Sequence, residues 1–425
     1  MLLLRMLFIS NFLFFCNIIF AQSELEYKNR IYKDNIKSIS FHQIQKDFSY
    51  PIIELEKQNQ LLLEFDDLNE EETDYSYTII HCNSDWELTN LNPIEYIEGF
   101  EENQIEDFDN SFSTLVSYKH YELIFPNEDI KPILSGNYIL LVYEDFEQED
   151  IVFSRRFFVT DSKVDIDAEI KRSTMVNSID DSQELIFTIN DKTQTIFNSQ
   201  DNLNVTISQN NIQKININNI KPDFIKGDLY EYHNSRLIRF KGGNEYRYFN
   251  VKNTKYINDR IQSIAYVKPY YFFNLVTEKV EAYIPYSFAH DINGEMLVTA
   301  DNVDNDKLEA EYVYVDFKLK FNNPIASGKF YVFGALSDWN TNKNNEMYYD
   351  YSEQSYKLRM LLKQGFYNYQ YVFVSDEDKK LNFSFTEGNH YETENNYVIY
   401  VYYRSQGNEY DELIGYKIIN SLKRL

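Results

Sequence analysis

The sequence predicts an all-β protein, built as tandem immunoglobulin-like or early-set β-sandwich domains after a cleaved signal peptide. Three observations predict it. Polar and apolar residues alternate with period two in run after run, as in Tyr75–Cys82 and Tyr312–Phe321, and amphipathic helical spacing is scarce. Aromatic residues make up 17% of the 425-residue chain, with 37 Tyr and 32 Phe, and such side chains suit a pleated, half-buried surface. Short apolar runs recur between polar turns, which is the spacing of a sandwich.

Residues 1–21 have the organisation of a secretory signal peptide. Arg5 supplies the positive end, Leu7 to Phe20 the apolar core, and Ala21 the small residue at the cut, so the mature chain is expected to begin at Gln22. The apolar core is short and interrupted by Ser10, Asn11 and Asn17, which argues against an uncleaved anchor. Bulky Phe15 before Cys16 argues against a lipoprotein site. No later run is apolar enough to cross a membrane as a helix, so no direct membrane insertion is expected.

Three domains are expected beyond it. The first spans 22–161 and contains strands at Tyr75–Cys82, Gly136–Tyr143 and Val152–Val159. In Tyr75–Cys82, residues Tyr75, Tyr77, Ile79 and His81 share one face, and Ser76, Thr78, Ile80 and Cys82 the other. Asp161–Lys163 reads as a linker. The second domain spans 162–306, with Asn-rich punctuation, and Lys214–Ile220 alternates like an edge strand. The polar run Ala300–Asp306 marks the next boundary. The third domain spans 307–425, with strands at Lys329–Phe333, Tyr356–Leu362, Phe366–Val374 and Tyr397–Tyr403. Ile418–Leu425 reads as a short helix or a frayed tail.

Charge and cysteine content exclude several functions. A net charge of −26 repels phosphate backbones, so nucleic acid is not an expected partner. Cys82 is the only mature cysteine, so no internal disulfide is possible, and its strand position points to a buried, inert thiol.

No catalytic motif appears: GxSxG, HExxH, CxxC, the P-loop and GxGxxG are all missing. His81, Cys82 and Asp85 are the one compact set of potential ligands, but neighbours in a strand point to opposite faces and cannot grip one ion. Asp85 and Trp86 then read as a turn and its apolar anchor. Asp301–Asp306 has the look of a calcium loop, yet it lacks the glycine at the sixth position, and if Asp304 began the loop, Leu308 would fall where an oxygen ligand belongs. No catalytic, cofactor or metal residue is therefore assigned. Abundant carboxylates leave a glycan-active enzyme as a rival on compartment alone.

Several long runs carry a resemblance. SYPIIEL, LLLEFDDL, YSYTIIHCNSDW, SGNYILLVYED and RRFFV lie between Ser49 and Val159. FYVFGALSDWN, LLKQGFYNYQYVFV, EGNHYETENNYVIYVYYR and YDELIGY lie towards the C-terminus. Together they resemble the plug protein family of the type IX secretion system. The resemblance implies a non-enzymatic periplasmic subunit, peripherally associated with the outer membrane, whose partner is the translocon barrel and which seals its periplasmic mouth. Separately, FYVFGALSDWN resembles the early-set modules found beside carbohydrate-active enzymes. That makes Trp339 a glycan-contact candidate, and a carbohydrate-binding module of the periplasm or cell surface the alternative function. A corner anchor is the structural reading of the same residue.

Overall fold

The computed structural model of the chain describes residues 25–69, 71, 73–234 and 236–422. The expected signal peptide lies outside the described residues. Within them the protein is nearly all β, and its helices are single turns of three or four residues. No helix among the described residues is long and apolar enough to cross a membrane.

The first unit is a sandwich of two antiparallel-rich sheets. One carries Arg30–Ile31, Ile151–Thr160, Gly136–Glu144, Tyr75–Cys82 and Asn103–Gln104 in that spatial order, with Ile52–Glu54 added in parallel. The other carries Ile36–Gln43, Leu61–Asp67, Lys119–Phe125 and Asp107–Asn110. Alternation decides which side chains meet. Leu61, Leu63 and Phe65 face Tyr75, Tyr77 and Phe153 in a core from which water is excluded. Phe65 stacks on Tyr121 at 5.0 Å between ring centroids. Glu64 and Asp66, one residue out of phase, point from the opposite face, paired across the ladder with Glu122 and His120.

The other two units are also sandwiches, but they do not divide at 306. One core joins Leu185, Phe187, Val205 and Ile207 to Tyr397, Ile399 and Val401. Its second sheet runs Ile217–Ile220, Leu203–Gln209, Asn396–Tyr403, Glu412–Asn420, so strands from both ends of the C-terminal two-thirds lie side by side. A separate core, with Phe249, Phe273, Val315 and Tyr369, is assembled from the chain between these strands. The third unit is therefore inserted into the second. The chain leaves after Arg239–Lys241 and returns at Asn396–Tyr403.

The expected boundary at 300–306 falls inside the inserted sandwich, because Tyr270–Leu275 pairs with Tyr312–Lys320 across it. The polar run is a loop whose polar side chains cap local backbone: Asp306 accepts from the Ala300 amide at 2.7 Å, and Asn305 caps the turn Asp306–Glu309. A second correction concerns the C-terminus. Ile418 and Ile419 are not helical but continue the strand Glu412–Asn420, since Tyr397 and Val398 offer them a ladder partner. Ile217–Ile220 does form an edge strand.

Candidate functional site

The two signature stretches of the sequence lie at junctions between units. Asn83–Trp86 follows the strand Tyr75–Cys82 and meets the second unit. Asp411 accepts from the Ser84 amide at 3.0 Å, and Arg404 donates to Asn83 at 3.0 Å. Trp86 is half-buried beneath the Arg156 guanidinium, 3.9 Å from its ring centre, and Arg156 also donates to the Tyr27 carbonyl and to Gln213. Phe158 stacks on Tyr400 at 4.4 Å, and the Tyr402 hydroxyl donates to Asn137 at 2.8 Å. The second signature, 387–397, returns the chain from the third unit to the second. Glu387 is fully buried and takes a forked pair of bonds from Arg247. Burial opposes the charge on Arg247, but Glu387, Glu278 and Glu281 outweigh it and raise its pKa. Asn395, also buried, donates to the Gly242 carbonyl and to Gln183.

A concentrated polar site lies where the outer face of the first unit's sheet is covered by the third unit. Asp66 is wholly buried there. It accepts from Lys363 Nζ at 2.6 Å, from the Tyr312 hydroxyl at 2.6 Å and from His120 Nδ1 at 2.7 Å. Lys363 also donates to the Lys307 carbonyl and lies 4.1 Å from the Tyr118 ring centre. Burial lowers the Lys363 pKa, and Asp66 opposes that shift. For Tyr312, burial and the Asp66 charge act together to push its hydroxyl well above the ordinary value.

Beside Asp66 lies a second cluster. Glu64 Oε1 and Glu122 Oε1 each sit 2.6 Å from Lys307 Nζ. His120 Nε2 faces the same two oxygens at 3.6 and 3.4 Å. Burial tends to raise the Glu64 pKa, but the neighbouring His120 ring and the Lys307 ammonium override it and hold the carboxyl at about 2. For His120, burial opposes protonation, and Asp66 with Glu64 reverses that, so its pKa is raised. The cluster opens on a cleft of about 410 Å³ between units, lined among others by Tyr50, Arg155, Glu295 and Trp339.

Trp339 itself is half-buried. It packs edge-to-face against Phe333 at 5.8 Å and Tyr246 at 6.4 Å. Asp338 and Trp339 both adopt positive φ, 55° and 53°, which turns the chain sharply after the strand Gly328–Phe333. Asp338 then reaches back to Arg155 of the first unit at 3.2 Å.

The three residues considered as one ligand set in the sequence are dispersed. His81 packs edge-on against Tyr138 and bonds Thr89, Cys82 is buried against Ile139 and Leu141, and Asp85 accepts from the Glu87 amide. Sequence spacing missed Glu64, Asp66 and Lys363, since they are distant in the chain. The local signals were Glu64-x-Asp66 and His120-x-Glu122, whose period of two puts each pair on one face of its strand.

Comparison with known proteins agrees with this architecture. A family model described as the type 9 secretion system plug protein 1st domain matches residues 36–161. A crystal structure of a hypothetical protein from Parabacteroides merdae ATCC 43184 is 32% identical, covers 93% of this chain and 100% of its own, and superposes with a TM-score of 0.90. No curated protein matches the chain. The chain belongs to the type 9 secretion system plug protein family and takes part in type IX secretion as a structural component of the cell envelope.

Proposed function

We propose that the protein is a non-enzymatic plug subunit, seated in the periplasm against the mouth of the type IX outer-membrane translocon barrel and closing it by bulk. The observation that carries this reading is the family match over residues 36–161. The physics of the fold supports it. A body that occludes a wide aqueous channel must not come apart under contact with cargo. Here the units are tied by polar groups, Asp66 with Lys363, both buried, and Arg155 with the partly exposed Asp338. Breaking such ties exposes unpaired charge in an apolar setting, which resists partial opening. Release from the barrel, by contrast, calls for a polar-rimmed interface that seals without being permanent. A net charge of −26 favours a complementary basic surface on the partner and a salt-dependent capture rate.

The test compares deleted and complemented cells. Loss of the protein is expected to leave the barrel assembled but to sensitise cells to vancomycin, with cargo secretion affected less than permeability. The barrel is expected in pull-downs from detergent-solubilised outer membranes. Unchanged permeability together with no barrel in the pull-down would overturn the reading. Polysaccharide binding by the purified chain, abolished in Trp339→Ala, would favour the carbohydrate-binding alternative instead.

A further inference from the structure

We propose that Glu64, His120 and Glu122 form a binding site for a divalent transition cation of the zinc class, a site that the Lys307 ammonium occupies in competition with the metal. Four observations lead there. The candidate ligand atoms, one from each residue, all lie within 4.8 Å of one another on the outer face of one sheet. Strand pairing sets this spacing, since Glu64 is the direct ladder partner of Glu122 and Asp66 that of His120.

The second observation is the histidine tautomer. His120 Nδ1 lies 2.7 Å from Asp66 Oδ1, and a carboxylate cannot donate, so Nδ1 carries the proton. In the neutral ring Nε2 is then a bare lone pair. A carboxylate held on the far nitrogen is the arrangement that orients histidines bound to metals and increases their basicity.

The third observation is an orphaned atom. His120 is only 7% exposed, and its buried Nε2 makes no hydrogen bond, although it is aimed between two carboxylates. Its distances to Glu64 Oε1 and Glu122 Oε1 are 3.6 and 3.4 Å. A tetrahedral zinc ion with bonds of about 2.0–2.2 Å holds neighbouring ligand atoms about 3.3–3.6 Å apart. His120 Nε2 thus stands at ligand spacing from both carboxylates without a hydrogen bond to either.

The fourth observation is the position of a cation. Lys307 Nζ sits 2.6 Å from both Glu64 Oε1 and Glu122 Oε1. Its side chain is half-exposed on a single helical turn, so the ammonium can swing to solvent while the Lys307 carbonyl keeps its bonds to Lys363 and Tyr118. The cleft beside the cluster leaves room for a water or an outside ligand in the fourth position. One imidazole with two carboxylates selects zinc-like ions over calcium or magnesium, which take oxygen sets. Asp66 is not a ligand, because Lys363 and Tyr312 already hold its other oxygen.

The experiment uses the untagged protein, stripped with chelator and titrated with Zn²⁺ by calorimetry and with Co²⁺ by visible absorption. One equivalent is expected to bind, with the intense bands of a low-coordinate Co²⁺ site. Lys307→Met is expected to tighten binding by about tenfold or more by removing the competing cation. His120→Gln and Glu122→Gln are each expected to weaken it by more than the roughly 10–100-fold that loss of an outer-shell partner costs. Glu122 is partly exposed, so its variant tests the ligand set even if the His120 variant folds poorly. Absence of saturable one-equivalent binding would overturn the proposal. So would binding that Glu122→Gln leaves unchanged, or an affinity that Lys307→Met fails to raise.

Discussion

Replacing Lys363 by Met should loosen the third unit from the first. Lys363 and Asp66 side chains are each 1% exposed and lie 2.6 Å apart. Removing one partner of such a pair leaves a charge buried without compensation, at a cost of about 3–5 kcal/mol. Asp66 keeps the Tyr312 hydroxyl and His120, which places the loss towards the lower part of that range. The Tyr118 ring also loses its cation. A chain of several units need not unfold in one step, so the readout is native-state hydrogen exchange in Lys119–Phe125 and Tyr312–Lys320. A loss of about 3 kcal/mol there corresponds to about two orders of magnitude in exchange rate. Combining Lys363→Met with Asp66→Asn removes both charges and should recover a large part of the loss. Exchange within threefold of the wild type in the single variant would refute the argument. So would a double variant no better protected than Lys363→Met.

Three other outcomes are expected. Cys82 is fully buried, and burial pushes its thiol up to about 12 against the opposing charge of Arg156. Thiol reagents at pH 8 should therefore label it only as fast as the protein opens, and labelling at the rate of the unfolded chain would contradict this. Glu245 is raised to about 7, first by burial, and its Oε2 has no hydrogen-bond partner. A folded-state pKa above the ordinary carboxylate value gives a contribution that is complete below about pH 4.5 and is lost as pH rises through 7. Glu245→Gln should then gain thermal stability relative to wild type between pH 5 and pH 8, and a pH-independent difference would reject the burial argument. Trp339→Ala should cost about 2–3 kcal/mol in urea unfolding, less than a fully buried aromatic truncation, because the ring is only half-covered. A change within 0.5 kcal/mol would show that its packing on Phe333 and Tyr246 contributes little.

Local pattern carried much of the fold. Alternation in Tyr75–Cys82, Gly136–Glu144 and Ile151–Thr160 marks strands because a strand places successive side chains on opposite faces whatever its neighbours are. The long signature runs identified the family, and they lie where units meet. Such junctions need particular side chains: Asn395 and Glu387 must each satisfy several buried groups at once.

Pairing between distant strands was not legible in the same way. Asn396–Tyr403 has the pattern of a sandwich strand, but nothing in that pattern names Leu203–Gln209 as its partner. The polar run at 300–306 has the composition of a linker, yet it is a loop within one sandwich. Asp66 shows the same division. Its phase relative to Leu63 and Phe65 put it on the outer face of its sheet, where a lone strand would expose it to water. Only the docking of Tyr312 and Lys363 buries it, and only the pairing of Leu61–Asp67 with Lys119–Phe125 sets Glu64 against His120 and Glu122. The sequence by itself determined the strand content, the face each residue takes and the family. Tertiary structure alone decided which strands share a sheet and which polar groups meet, because those contacts join residues that chain geometry does not hold near each other.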